Sequence, residues 1–214
     1  MKRTTAIGLT ALLLLAPSSL VQPLSGARLA RPRAATAALE NATMSLRFPE
    51  PGSAVLTNKL TGRSYALSAE PFVLVLEVAG NRFRVAAGDS LLAETQNVSP
   101  NLVRLRYDGI GGRRGLAVLV DYELGQQAWY VRKHVTVSNG LGEVVIVHDA
   151  TVDDVGLQQG AFPAKAQNPL FLDGQVFWGM EWPIAEAAVR DGRFRLTHFP
   201  AAAVAPGGSW TSKT

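Results

Sequence analysis

From Met44 onward, hydrophobic and polar residues alternate with a period of two, or gather in apolar runs of five to nine residues. Clusters of Gly, Asn, Asp or Pro interrupt them every eight to fifteen positions. A period of two places successive side chains on opposite faces of a strand, and regular turn clusters between short strands are the mark of an antiparallel sandwich. The pattern predicts strands over 44–48, 54–58, 63–67, 72–78, 82–86, 102–107, 116–124, 128–138, 143–148, 175–182, 187–189 and 193–198. The run Phe72-Val73-Leu74-Val75-Leu76-Glu77-Val78 is apolar on both faces and predicts a central strand at the deepest part of the core. In 102–107, Val103, Leu105 and Tyr107 share one face and Arg104 and Arg106 the other, so one face of that strand meets water.

Turn chemistry orders these strands. Ala79-Gly80-Asn81 and Asp191-Gly192 each predict a hairpin, and Asn139-Gly140 is the strongest hairpin signal in the chain, joining 128–138 to 143–148. Outside the first thirty residues no stretch has a 3.6-residue period, which excludes helical bundles and doubly wound α/β folds. The glycine-rich stretch Gly109-Ile110-Gly111-Gly112-Arg113-Arg114-Gly115 lacks the Gly-Lys-Ser/Thr ending of a phosphate cradle and reads as a hairpin loop. The fold class expected is all-β, an antiparallel β-sandwich over 42–214 preceded by a signal peptide over 1–27 and a flexible lead-in over 28–41.

The N-terminal expectation rests on Lys2 and Arg3, the apolar stretch from Ala6 to Ala16, and the small residues Ser25-Gly26-Ala27 where a signal peptidase would cut. That apolar stretch is too short for a membrane span, which takes about 20 residues. The expected location is therefore periplasmic or extracellular, with no membrane span. Cleavage after Ala27 removes two basic residues and no acid, leaving 19 basic against 17 acidic and lowering the formal charge from +4 to +2. With that balance, and with arginines scattered among acids, nucleic acid is not an expected partner. At 47% hydrophobic and 18% charged residues the chain can build a core, so the bulk is not disordered.

Cysteine is absent, which removes disulfides, thiol nucleophiles and sulfur-ligated metals, and only three histidines are present. No cofactor and no metal are expected. No serine sits in a Gly-x-Ser-x-Gly elbow, so serine hydrolysis is not indicated. Asp153-Asp154 are adjacent acids that point apart on a strand. Asn41-Ala42-Thr43 and Asn97-Val98-Ser99 match the glycosylation sequon. The carbohydrate-binding candidates are Trp178, Glu181, Trp182 and Trp129: aromatic faces stack on the CH-bearing faces of sugar rings, and Glu181 lies between two indoles. No catalytic residue is assigned. A second reading is a small sugar-active enzyme of epimerase or lyase type using His134 or His148 with Glu181, and a third is a structural envelope protein.

The C-terminal third carries a resemblance. Gln175-Val176-Phe177-Trp178-Gly179-Met180-Glu181-Trp182-Pro183, then Leu196-Thr197-His198-Phe199-Pro200, then Pro206-Gly207-Gly208-Ser209-Trp210-Thr211-Ser212-Lys213 resemble the end of the N-terminal β-sandwich domain of bacterial α-galactosidase-like glycoside hydrolases. Trp129-Tyr130-Val131-Arg132-Lys133, followed by Asn139, is similar to a strand of galactose-mutarotase-like sandwiches. The resemblance implies a supersandwich fold and a carbohydrate partner. In that family a following TIM barrel carries the catalytic aspartates. The chain stops at Thr214, so those residues have no counterparts here, and the resemblance implies an accessory domain without its barrel. A barrel domain, or self-association through the face that would dock on one, is the further partner it implies.

Overall fold

The computed structural model describes residues 37–163, 167–181 and 185–213. The expected signal peptide, the first part of the lead-in and Trp182 lie outside them. The strands are β1 (Ala37–Glu40), β2 (Met44–Phe48), β3 (Ser53–Asn58), β4 (Arg63–Glu70), β5 (Val73–Val78), β6 (Asn81–Ala86), β7 (Leu91–Ser99), β8 (Leu102–Asp108) and β9 (Leu116–Glu123). They continue as β10 (Arg132–Asn139), β11 (Val145–Leu157), β12 (Leu170–Leu172), β13 (Val176–Trp178), β14 (Glu186–Arg190), β15 (Arg193–His198), β16 (Ala202–Val204) and β17 (Ser209–Thr211). Among the described residues there is no α-helix, and every strand pairing is antiparallel.

The larger sheet is organised around β11, whose 13 residues are long enough to take two strands end to end on each edge. On one edge β5 pairs with its first half and β4 with its second; on the other, β16 precedes β15 in the same way. The smaller sheet has the order β17-β10-β9-β8-β7. Period-two burial runs through both sheets. Leu74, Leu76, Val118, Val120, Val135, Val137, Val145 and Val147 are fully buried and belong to one apolar cluster. The sheets pack face to face across it, with Phe48 against Tyr122 at 4.8 Å between ring centroids and Phe72 edge-on to Tyr107 at 5.0 Å. Burial therefore bears out the central strand at 72–78 and the one-sided strand at 102–107.

Two hairpins form where their turn residues placed them. Ala79 and Gly80 have φ of 49° and 76°, and Asp191 and Gly192 have φ of 54° and 72°, the paired positive values of a two-residue hairpin whose twist matches its strands. The Asn139-Gly140 hairpin does not form. β10 pairs with β9 and β17 in the smaller sheet, whereas β11 starts the spine of the larger one, so Asn139-Gly140 is a corner that passes the chain between sheets. Its reason is long-range. Buried Asn139 donates from Nδ2 to the carbonyls of Glu143 and Val204 at 2.8 and 2.9 Å, and its Oδ1 accepts the Leu141 N–H. Gly140 N–H reaches Gly115 O at 2.7 Å, closer than any side chain between them would permit.

Four further differences separate the strands from the sequence expectation. Residues 37–40, expected in the flexible lead-in, form β1 because Ala37 and Leu39 bury completely against the sandwich. The strand expected at 128–138 begins only at Arg132, and of 175–182 only Val176–Trp178 is strand, in a separate ribbon with β12. β7 was not foreseen because, as an edge strand with two register shifts, it buries too little to show a period.

Candidate functional site

The β12–β13 ribbon separates the candidate aromatics by face. Asn168 closes it, accepting from Met180 N–H and donating to Met180 O, so the segment returns on itself at a fixed width. Trp178 turns inward and packs against Phe162 and Phe194, with centroids at 6.2 and 6.4 Å, beside buried Leu170 and Leu172. It is half-buried there, packed against the core. Phe171 and Phe177, directly opposite one another in register, face water and are 65% and 56% exposed. This outward pair was missed by sequence reasoning, although strand parity carries the signal: neighbours of inward-facing Trp178 must point out. Glu181 is exposed just beyond the ribbon, and Trp182 lies outside the described residues.

Trp129 sits elsewhere, in the loop between β9 and β10, and is 70% exposed. Among the described residues no ring contact joins it to Trp178. Its loop is held from below. Asn41 Nδ2 donates to the carbonyls of Gly125 and Ala128, both at 2.8 Å, while Oδ1 accepts the N–H groups of Thr43 and Met44. A turn closed by Ala128 N–H to Gly125 O completes the base, and buried Leu124 anchors its entry. Next to Trp129, Tyr130 is also exposed, with the Arg132 guanidinium 5.1 Å from its ring centroid. The result is an indole presented to solvent on a tied loop. Because both hydrogens of the Asn41 amide are used in this tie, that sequon asparagine has no free amide to carry a glycan in the folded protein; Asn97, on β7, is exposed.

The polar candidates separate as well. His148 Nε2 lies 2.9 Å from Glu77 Oε2 on the β11–β5 pair, so its acidic neighbour is Glu77 rather than Glu181. His134 lies opposite Asp121, whose carboxylate grips Arg104 through two 2.7 Å hydrogen bonds. Asp153 and Asp154 do point apart. Asp153 faces inward to Lys133, 2.7 Å away between the sheets, where the ammonium also donates to Val152 O and lies 5.3 Å from the Tyr122 ring centroid. Burial acts to lower the lysine's pKa, but Asp153 and Tyr122 together outweigh it and hold the ammonium above its usual range. Asp154 faces outward to Arg193 and Arg195. Among the described residues no group of three His, Asp or Glu side chains could hold a metal ion, and no helix is long and apolar enough to cross a membrane.

His198 is buried and stacked on Trp210, with centroids 5.8 Å apart. Burial, with the nearby Lys213 charge, holds its imidazole below the ordinary value of 6.5. The unfolded chain therefore binds a proton near pH 6.5 that the folded chain refuses. This contribution to stability is present above that pH and is lost as the pH falls from there toward the lower folded value. Urea midpoints measured from about pH 7 to about pH 5 are expected to drop, and His198→Gln to flatten part of that slope. An identical slope in the variant would show that His198 is not responsible.

No known family model matches the chain, and no curated protein matches it significantly.

Proposed function

We propose that the protein is an exported, non-catalytic β-sandwich module that binds carbohydrate, of the galactose-mutarotase-like kind that accompanies a catalytic barrel in α-galactosidase-like glycoside hydrolases. The observation that carries the binding reading is Trp129: a mostly exposed indole on a loop tied at its base by Asn41. Leaving a large aromatic face in water gains nothing for folding, whereas a sugar ring stacked on it buries apolar surface on both partners. Tying the loop lowers the entropy lost when the ligand docks. The all-β antiparallel architecture supports the family side of the reading, and the exposed Phe171–Phe177 pair supports a docking face for a further domain.

Calorimetric titration with a panel of galactosides and glucans tests the reading. Trp129→Ala is expected to weaken binding by about tenfold or more with an unchanged melting temperature, since the side chain contributes little to packing. Trp178→Ala is expected to do the reverse, costing about 3 kcal/mol of stability while any bound sugar keeps its affinity. A Trp129→Ala variant that binds every ligand as the parent does would remove the indole from the account.

A further inference from the structure

The turn from β4 to β5 opens onto a second candidate site. β4 ends at Glu70, Pro71-Phe72 carries the chain onward, and β5 resumes pairing with β11 from Thr151 back to Val145. At that break the outer face of the larger sheet holds a cleft of about 420 Å³, of the size that takes a small ligand. Its walls are charged: Ser68 and Glu70 from β4, Arg84 from β6, Asp89 from the turn after β6, Asp154 from β11 and Arg193 from β15. Among the described residues no aromatic ring lines it.

Two of these groups are fixed in place. Buried Asp154 accepts from Nε of Arg193 and of Arg195, and its carbonyl accepts from Arg193 Nη2 at 2.6 Å. Arg193 Nη1 reaches Ser68 Oγ at 3.0 Å, and the guanidinium lies over Gly156, where a Cβ would come within 3.1 Å of Nη1. Arg193 is thereby held flat along one wall with guanidinium hydrogens to spare. Glu70 is oriented by the Gly88 N–H on Oε1, and among the described residues Oε2 takes no hydrogen bond. Arg84 and Asp89 are exposed, and their side chains make no ion pair or hydrogen bond with other described residues.

The charges decide the ligand class. Asp154 and Arg193 neutralise one another, Arg195 is shared between Asp154 and Asp191, and the lining charges that remain are Arg84 on one side and Glu70 and Asp89 on the other. A cleft that keeps an unpaired charge of each sign, Arg84 and Asp89, suits a ligand that brings one charge of each sign. A neutral sugar would cover Arg84 and Asp89 without neutralising either, and a simple anion would leave the two acids facing it. We propose that this cleft binds a free α-amino acid, its carboxylate on Arg84 and the spare hydrogens of Arg193, its ammonium on Asp89 and Glu70 Oε2. Guanidinium and carboxylate forks both favour such charge-assisted pairs.

The test is a titration of the ¹⁵N-labelled protein, followed by amide NMR, with each of the twenty common amino acids, with N-acetyl-L-alanine and L-alaninamide, and with maltose. Expected are saturable shifts at Glu70, Gly88 and Arg193 with at least one free amino acid, and binding weaker by about tenfold for analogues lacking the ammonium or the carboxylate. Arg84→Ala and Asp89→Ala, both at exposed positions, are each expected to weaken it by a similar factor while other amides keep their places. Trp129→Ala is expected to leave it unchanged, so this site and the carbohydrate reading stand or fall separately. No shift with any amino acid, equal shifts with the N-acetyl analogue, or the same amides moving with maltose would overturn the proposal.

Discussion

Asn139→Ala is expected to lower stability by about 3 kcal/mol, a fall in melting temperature of about 10 °C for a domain of this size. The substitution removes one side chain and strands three backbone groups. The carbonyls of Glu143 and Val204 lose their donor and the Leu141 N–H loses its acceptor, and at the buried Val204 carbonyl water does not replace it. The residue's own backbone exchanges bonds with Gly207 and Gly208, so the corner between the sheets and the approach to β17 loosen together. Asn139→Asp makes the sharper experiment. It keeps the shape and the acceptor for Leu141 but turns an oxygen toward two carbonyls, so it is expected to cost at least as much as alanine near pH 7. Acidification, by protonating the new carboxyl into a donor, is expected to restore part of the loss. An aspartate variant as stable as the parent near pH 7 would mean that the corner is not held this way.

Removing Asp153 is expected to cost a similar amount, about 3 kcal/mol, through a charge left alone rather than a bond left open. Lys133 and Asp153 are only 11% and 15% exposed, and the ammonium stays charged because its carboxylate partner and Tyr122 outweigh its burial. In Asp153→Ala that carboxylate no longer opposes the cost of burying the charge, and the lysine's pKa falls. The unfolded chain then binds more protons than the folded one as the pH rises, so the penalty is expected to shrink from about pH 7 to about pH 9. In the parent the sign is opposite: a raised lysine contributes below its ordinary 10.5 and is lost only as the pH climbs through the higher folded value. Lys133→Met combined with Asp153→Ala is expected to be more stable than Asp153→Ala alone, because no isolated charge remains. Chemical denaturation across that pH range measures all of this, and a pH-independent penalty would contradict it.

The two sites of largest expected effect mark where the sequence could and could not be read. Period-two burial is a local signal, so strands such as 102–107 and 193–198 were legible, and so were hairpins whose glycine supplies the positive φ. Asn139-Gly140 is just as strong a local signal, yet it makes a sheet-to-sheet corner because Gly115, Val204 and Gly208, all distant in sequence, hold it beside its local bonds to Leu141 and Glu143. The extension of β11 beyond His148 was hidden for a related reason. Two register shifts, between Val147 and Asp149 and between Thr151 and Asp153, break the period-two pattern along the strand.

The candidate site shows the same division. Trp178 and Trp129 were equal as letters, and only packing separates a core indole from an exposed one. The Phe171–Phe177 pair required knowing that β12 exists, and three residues carry no period. The charged cleft was invisible because its walls come from strands spread between Ser68 and Arg193, brought together by the break between β4 and β5.

The most direct test of the carbohydrate reading is the intrinsic fluorescence of the purified protein titrated with galactosides and glucans. A saturable blue shift with one sugar class, absent from the folded Trp129→Ala variant, is the expected result, because covering the exposed indole removes it from water. No shift from a cooperatively folded parent, across the whole panel, would contradict the claim that this protein binds carbohydrate through Trp129.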